Sequence, residues 1–310
     1  MKQNSVIFIG SADFGKISLE RIVQEGYAVK GVITEVNDPC AAYAKEKGIP
    51  TIQLAERHRK VEGQLKEKVM KFIDRREPDF LAMCVWEKQM PSELVKQYAG
   101  RFINFHGSPL PLYRGWAPIN WQIIRGKKRV GMSVSFVAEK YDRGPIVQQN
   151  WLPIDDNMTA GDVYDLMELP AAEMICRVLY KLSRGKKISV TEQPQTKVLP
   201  EAPEFTEEDT RINWRKTARQ IHNLVRGCNP MDYAHTTARG EKILIASARI
   251  MQSNRRSVPG QILSGGDKFF TVACGRGNLL VYELLHSDET PYDLIEFQEK
   301  YKQKSLILGK

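Results

Sequence analysis

The sequence predicts an α/β protein in which a mostly parallel sheet, covered by helices on both faces, is followed by a smaller β-barrel punctuated by glycine. Three observations predict it. Short apolar runs alternate with amphipathic segments through the first half of the chain, the pattern of parallel strands joined by crossover helices. A polar stretch holding Pro194, Pro200 and Pro203 divides the chain, and beyond it short β-like runs recur between glycines. A chain of 310 residues is long for one core and comfortable for two. The expected division is 1–184 for the larger unit, 185–210 for a linker and 211–310 for the companion barrel.

Residues 5–10 read as a buried strand, and Phe14, Ile17, Leu19, Ile22 and Val23 then recur at helical spacing until Gly26. Residues 29–34 are a second strand, Asp38-Pro39 starts a helix that ends at Gly48, and residues 66–75 are a third helix. Strands follow at 80–85 and 102–105. Runs at 131–136 and 145–152 flank the turn Lys140-Tyr-Asp-Arg-Gly144 and predict a hairpin on the sheet edge. Residues 159–183 are a helix that Pro170 interrupts or kinks, because proline removes a helical hydrogen bond. The linker turns acidic through 204–209. Beyond it, 217–226 is an amphipathic helix and 242–245, 260–263, 269–273 and 279–284 are strands.

Hydrophobic residues make up 42% and charged residues 27%, the balance of a folded globular chain rather than a disordered one. No run reaches the roughly eighteen apolar residues of a membrane span, which predicts a soluble protein with no membrane partner. Cys40, Cys84, Cys176, Cys228 and Cys274 stand singly, which points to a reducing compartment, the cytoplasm, and away from zinc sites and disulfide frameworks. The net charge is +9, and residues 211–256 carry ten Lys/Arg against Asp232 and Glu241. Such a basic half suggests an anionic partner, or else a solvated face.

The loop Gly10-Ser-Ala-Asp-Phe-Gly15 lacks the Gly-x-Gly-x-x-Gly spacing of a dinucleotide site. More telling is Arg101 to Trp121, RFINFHGSPLPLYRGWAPINW. Asn104 and His106 sit two apart at a strand end, so both project to one face, and an open α/β sheet binds its ligands there. Asp142, in the hairpin turn, is placed to reach back to His106. An uncharged amide can hold a developing oxyanion, an imidazole can pass a proton, and a carboxylate can orient the imidazole and accept the proton an attacking amine gives up. Those are the needs of acyl transfer to an amine. No serine or cysteine stands ready as a nucleophile, so direct transfer through a tetrahedral intermediate is the simpler scheme. Taken singly, a histidine near a strand end and an Asp-Arg-Gly turn are ordinary structural features.

Three pieces, Phe8-x-Gly10-Ser11-x-x-Phe14, Asn104-x-His106-x-Ser108-x-x-Pro111-x-x-Arg114-Gly115-x-x-Pro118 and Asp142-x-Gly144, resemble the formyltransferase family of methionyl-tRNA and sugar-nucleotide N-formyltransferases. Arg211-Ile-Asn-Trp214 and Asn229-Pro230 look like the start of that family's C-terminal, OB-like domain. The resemblance implies a Rossmann-like catalytic domain, the formyltransferase fold, followed by an OB-like barrel. It implies 10-formyltetrahydrofolate as co-substrate, no metal, and Asn104, His106 and Asp142 as the catalytic residues. It also implies a folate pocket from the loop Trp86 to Pro91, with Trp86 and Met90 flanking the pterin before Pro91, from Ser108, Pro109, Leu110 and Pro111, and from the backbone around Glu139, Tyr141 and Asp142.

The acceptor side is expected at Gly10, Ser11, Phe14, Arg114 and Trp116, with the forked guanidinium of Arg114 suited to a phosphate. The tRNA enzymes carry a basic insertion soon after the second strand, whereas here Val32-Ile-Thr-Glu-Val-Asn-Asp-Pro39 passes straight into a helix. With the bulky Trp116, this makes the chain look closer to the sugar enzymes. The expected acceptor is therefore a nucleotide-linked amino sugar, with charged tRNA second on the strength of the basic half. An inactive RNA-binding protein is the alternative of another class, though Phe269, Phe270 and Tyr282 are few aromatics for it.

Overall fold

The computed structural model describes residues 3–55, 59–185, 188–253, 257–301 and 306–309, so part of the basic stretch, 254–256, lies outside the described residues. The chain divides into two compact units, Met1–Pro118 with Gly131–Leu152 and Tyr164–Pro203, and Ile119–Val130 with Pro153–Val163 and Glu204–Lys310. Residues 188–203, whose composition reads as linker, belong to the first unit.

The first unit opens with β1 (Ser5–Gly10), buried along its whole length, and α1 (Ala12–Gln24), which buries Phe14, Leu19 and Ile22. The alternation continues through β2 (Ala28–Glu35), α2 (Pro39–Glu46), β3 (Thr51–Leu54), α3 (Gly63–Asp74), β4 (Phe80–Cys84), α4 (Ser92–Gln97) and β5 (Phe102–His106). Asp38 caps α2 by accepting from Cys40 N at 2.7 Å, and its other oxygen accepts from Ala12 N, which fastens the turn after β1. After α5 (Pro118–Ile124), which from Ile119 on belongs to the second unit, come β6 (Arg129–Phe136), β7 (Ile146–Pro153) and α6 (Ala160–Ser183).

The sheet order is β3-β2-β1-β4-β5-β6-β7. Strands β1 to β5 pair in parallel and β6 runs antiparallel to β5, with β7 at the edge. The chain winds outward from β1 to β3 and then resumes on the other side at β4, so the carboxyl ends of β4 and β5 open beside a switch point. One face of the sheet buries Ile7, Ile9, Ile33, Leu81, Met83 and Phe102 against Val69 and Ile73 of α3 and Leu94 of α4. Pro170 lies inside α6 without ending it. Around it, Ala171, Ala172, Met174, Ile175 and Val178 are buried, and aliphatic burial at about 1.5–3 kcal/mol per large side chain outweighs the roughly 3 kcal/mol a helical proline costs.

The second unit contains α7 (Glu207–Thr210), α8 (Ala218–Cys228), β8 (Ala234–Ala238), β9 (Glu241–Met251), β10 (Ile262–Gly266), β11 (Phe269–Ala273), β12 (Asn278–Leu285), β13 (Pro291–Tyr292) and α9 (Leu294–Tyr301). Its antiparallel sheet has the order β10-β11-β12-β9-β8, with β13 on β12. α8 starts at a capping box between Thr217 and Gln220. It lays Ile221, Leu224 and Val225 into a core with Ile243, Ile245, Phe270, Val272 and Leu279. Arg226, also buried on α8, donates to Asn223 Oδ1 at 3.0 Å and to the carbonyls of Asp155 and Met158. That is how residues 153–163 become part of this unit. No described helix is long and apolar enough to cross a membrane.

His222 is buried on α8, and burial, followed by the positive charges of Arg226 and Arg219, pulls its pKa down to about 4 despite the nearby Asp156. The unfolded imidazole titrates near 6.5, so between these values the unfolded chain binds the extra proton. Stability is whole above about pH 6.5 and falls as the pH drops toward 4, by on the order of 3 kcal/mol across that window. Urea unfolding at pH 7 and pH 4.5 is expected to show the loss in the wild type and a smaller one in His222→Gln. Equal losses in the two proteins would exclude this account.

Candidate active site

β5 carries Asn104 and His106 on one face, as strand alternation requires, with His106 buried and Asn104 partly open. Neighbouring β6 supplies Ser135 opposite Asn104 and Ser133 opposite His106. The imidazole is fixed at both ends. Its Nε2 donates to the Tyr113 carbonyl at 3.0 Å, which turns Nδ1 toward Asp142 Oδ1 at 3.5 Å. That second distance is at the outer edge of direct hydrogen bonding.

Asp142 occupies the left-handed region, φ 53°, which aspartate tolerates better than most residues. The turn aims its carboxylate inward, where Oδ2 accepts from Gly115 N at 3.0 Å. Gly115 has φ 121°, and a Cβ there would stand 2.4 Å from the Ala202 carbonyl, so no other residue fits. Behind this contact lies Arg114, 7% exposed. Its guanidinium donates to the Asp142 carbonyl at 3.1 Å, to Gln193 Oε1 at 2.8 Å, and to the carbonyls of Pro194 and Thr196. Residues 193–202 thus form a strap under the loop that carries Gly115, reinforced where Tyr113 N and Ala202 N meet Pro200 O and Arg114 O. Arg114, expected to meet an acceptor phosphate, holds the site from behind.

A cleft at the carboxyl ends of β4 and β5 brings Trp86, Met90, Glu139 and Tyr141 together with Asn104 and Asp142. It is narrow, with about 40 Å³ of free space. Its mouth is crossed by the Tyr141 hydroxyl, which donates toward the carbonyls of Arg59 and Glu87, and by Gln89 Nε2 donating to Glu139 O. Burial, then the charge of Asp142, pushes the Tyr141 phenol up to about 12, so it stays a donor at neutral pH. Lys88 and Gln89 of the expected loop line the cleft too, and Met83, Val95 and residues 135–138 also line it and were not expected there. Met83 could have been found from the pleat of β4. Lys88 reads as an ordinary surface lysine, yet it is 2% exposed and paired with Glu35.

Other expected residues lie elsewhere. Pro91 is the N-cap of α4. Ser108, Pro109 and Leu110 are buried in the turn after β5, where Ser108 Oγ donates to Leu112 O at 2.7 Å and Ser133 Oγ donates to Ser108 O. The Leu110-Pro111 peptide is cis. Gly10 packs against the Cys84 carbonyl, Ser11 Oγ donates to Val85 O at 2.8 Å, and the Phe14 ring lies 5.5 Å from that of Phe105. These three residues fasten β1 to its neighbours rather than line the cleft.

Arg114→Lys keeps the charge but loses the fork, leaving buried acceptors at Gln193, Pro194 and Thr196 short of donors. The expected outcome is a stability loss of about 1–3 kcal/mol in urea unfolding, with a turnover loss of at least about tenfold as Asp142 loosens. Wild-type turnover in a folded Arg114→Lys protein would count against the strap.

Residues 3–179 match the family model described as formyl transferase, and residues 204–302 match that of the formyl transferase C-terminal domain. The methionyl-tRNA formyltransferase of Ruminiclostridium cellulolyticum is 35% identical over 286 residues, covering 90% of this chain and 91% of its own length. That of Acetivibrio thermocellus is 33% identical over 284 residues, with 90% and 91% covered. Among solved structures, WlaRD, a sugar 3N-formyl transferase crystallised with dTDP and 5-N-formyl-THF, superposes with a TM-score of 0.67 at 17% identity, covering 91% of this chain and 98% of that one.

These findings correct the expectation that the chain stands closer to the sugar enzymes and takes an amino-sugar nucleotide. The sequence relationship runs to methionyl-tRNA formyltransferases along nearly the full length, while the likeness to the sugar enzyme is one of fold. Trp116, read as a sugar-type feature, has a packing role of its own, since the Arg59 guanidinium stacks 4.2 Å from its ring centre. Matched in both halves and sharing a third of its residues with full-length relatives, the chain belongs to the formyltransferase family.

Proposed function

We propose that this formyltransferase takes the formyl group of 10-formyltetrahydrofolate and places it on the amine of methionyl-tRNA. The observation that carries the reaction is the Asp142 carboxylate pinned between Gly115 N–H and His106, beside Asn104, at the end of an apolar-walled cleft. Folate supplies the formyl group, and the chain does the rest. The Asn104 amide donates to the formyl oxygen as the amine adds, and its lack of charge lets it serve without first shedding a counter-ion. His106 and Asp142 carry the proton released by the incoming nitrogen to the departing folate nitrogen as its bond to the formyl carbon breaks, with the ring held by Tyr113 O so that Nδ1 stays turned to the carboxylate. The walls made by Trp86 and Met90 suit a flat heterocycle.

The acceptor reading is supported by the methionyl-tRNA formyltransferase relatives and by the second unit. There a cleft of about 910 Å³ is lined by Arg125, Lys128, Arg211, Lys216, Arg219 and Arg226 against Asp156, Glu208 and Asp209. Lys128 and Arg219 share the single carboxylate of Asp156, so the surface keeps a positive surplus that favours phosphates. β2 passes to α2 with no inserted basic loop, so the attraction for RNA is assigned to this surface.

Methionyl-tRNA incubated with 10-formyltetrahydrofolate and the protein is expected to gain the mass of a formyl group. Unmodified methionyl-tRNA would overturn the acceptor. Asn104→Ala and His106→Ala are each expected to lower kcat by about 100- to 1000-fold with unfolding midpoints near the wild type. A rate close to wild type in either would refute the assigned roles.

A further inference from the structure

We propose that the indole Nε1 of Trp86 donates a hydrogen bond to the reduced pterin of the formyl donor and thereby sets affinity for that co-substrate. The proposal rests on the folate reading above. Trp86 follows β4 on the wall of the cleft, 9% exposed, packed in the same apolar cluster as Met83 and Met90. Its Nε1 is sealed from solvent and has no hydrogen-bond partner. An indole nitrogen can only donate, and a buried donor without an acceptor is costly enough that native structures rarely keep one unless something arrives to pair with it.

Among the described residues none takes that role. Lys88 lies over the ring with Nζ 5.0 Å from its centre, but an ammonium is a donor too, and its charge goes to Glu35. The Glu139 carbonyl already accepts from Gln89, and the Tyr141 hydroxyl is turned to the carbonyls of Arg59 and Glu87. Trp86, on the cleft wall, therefore carries an N–H that no acceptor among the described residues uses. A reduced pterin carries a ring carbonyl oxygen and ring nitrogens able to accept it, and its flat ring matches the apolar wall that Trp86 shares with Met90. A phenylalanine at this position would fill the wall equally well and provide no such donor.

Trp86→Phe removes the donor and keeps an aromatic wall. The chain has five tryptophans, so ¹⁵N-labelled protein gives a small set of indole N–H signals, and that of Trp86 is the one lost in Trp86→Phe or Trp86→Tyr. Adding tetrahydrofolate to the wild type is expected to move this proton downfield. Trp86→Phe is expected to weaken tetrahydrofolate binding and raise KM for 10-formyltetrahydrofolate by about tenfold, with the effect on KM rather than kcat. A Trp86 signal that stays in place while the protein binds tetrahydrofolate, or a folded Trp86→Phe protein that binds it as the wild type does, overturns the role of Trp86 and leaves the folate reading standing. A wild-type protein that binds no tetrahydrofolate overturns both.

Discussion

The geometry of the candidate site depends on one buried cation. Arg114 gathers the Asp142 carbonyl, the Gln193 amide oxygen and the carbonyls of Pro194 and Thr196 around a single planar fork. Burial makes its charge harder to hold, and it is the first cause lowering its pKa. An almost fully enclosed guanidinium is tolerable because nearly every N–H has an acceptor, and those acceptors come from segments far apart in sequence. The hairpin turn with Asp142, the loop with Gly115 and the strap at 193–202 are thereby held to one another, so the His106 to Asp142 distance is set by the scaffold and not by those two side chains alone.

The same division of labour runs through the site. Groups that would face substrate are few, and they sit where strands end. Around them, buried polar side chains such as Ser108 and Ser133 are spent on fixing the turn, and Gly115 lets the Ala202 carbonyl approach where a Cβ would block it. Lys88 and Glu35 form a charge pair behind Trp86. A buried pair of this kind adds little net stability but is expensive to break on one side, which favours a single arrangement of the cleft wall.

In the second unit the positive charge is organised and not merely abundant. Arg226 is internal and structural, whereas Lys128, Arg211, Lys216 and Arg219 remain on a cleft. Their field also reaches inward, since the guanidiniums of Arg226 and Arg219 help keep His222 neutral. Burial of His222 comes first in making the fold sensitive to acid, and Arg219 of the surface that would draw in a phosphate backbone adds to it.

The sequence by itself determined the α/β architecture, the pairing of Asn104 with His106 and the place of Asp142, because each follows from local rules: a strand alternates with period two, helices repeat near 3.6 residues, and Asp and Gly mark turns. It did not reveal β3, whose four residues bury only Ile52 and Leu54 and are too few to show a period, nor the passage of α6 through Pro170, which depends on packing. Only the tertiary structure decided that Arg114 faces the scaffold, that residues 193–202 are a strap, that Ser108 to Leu110 are buried and that Lys88 is enclosed and paired with Glu35. Each of these is a matter of which distant segment supplies the partner, and neither composition nor spacing carries that information until the chain has folded.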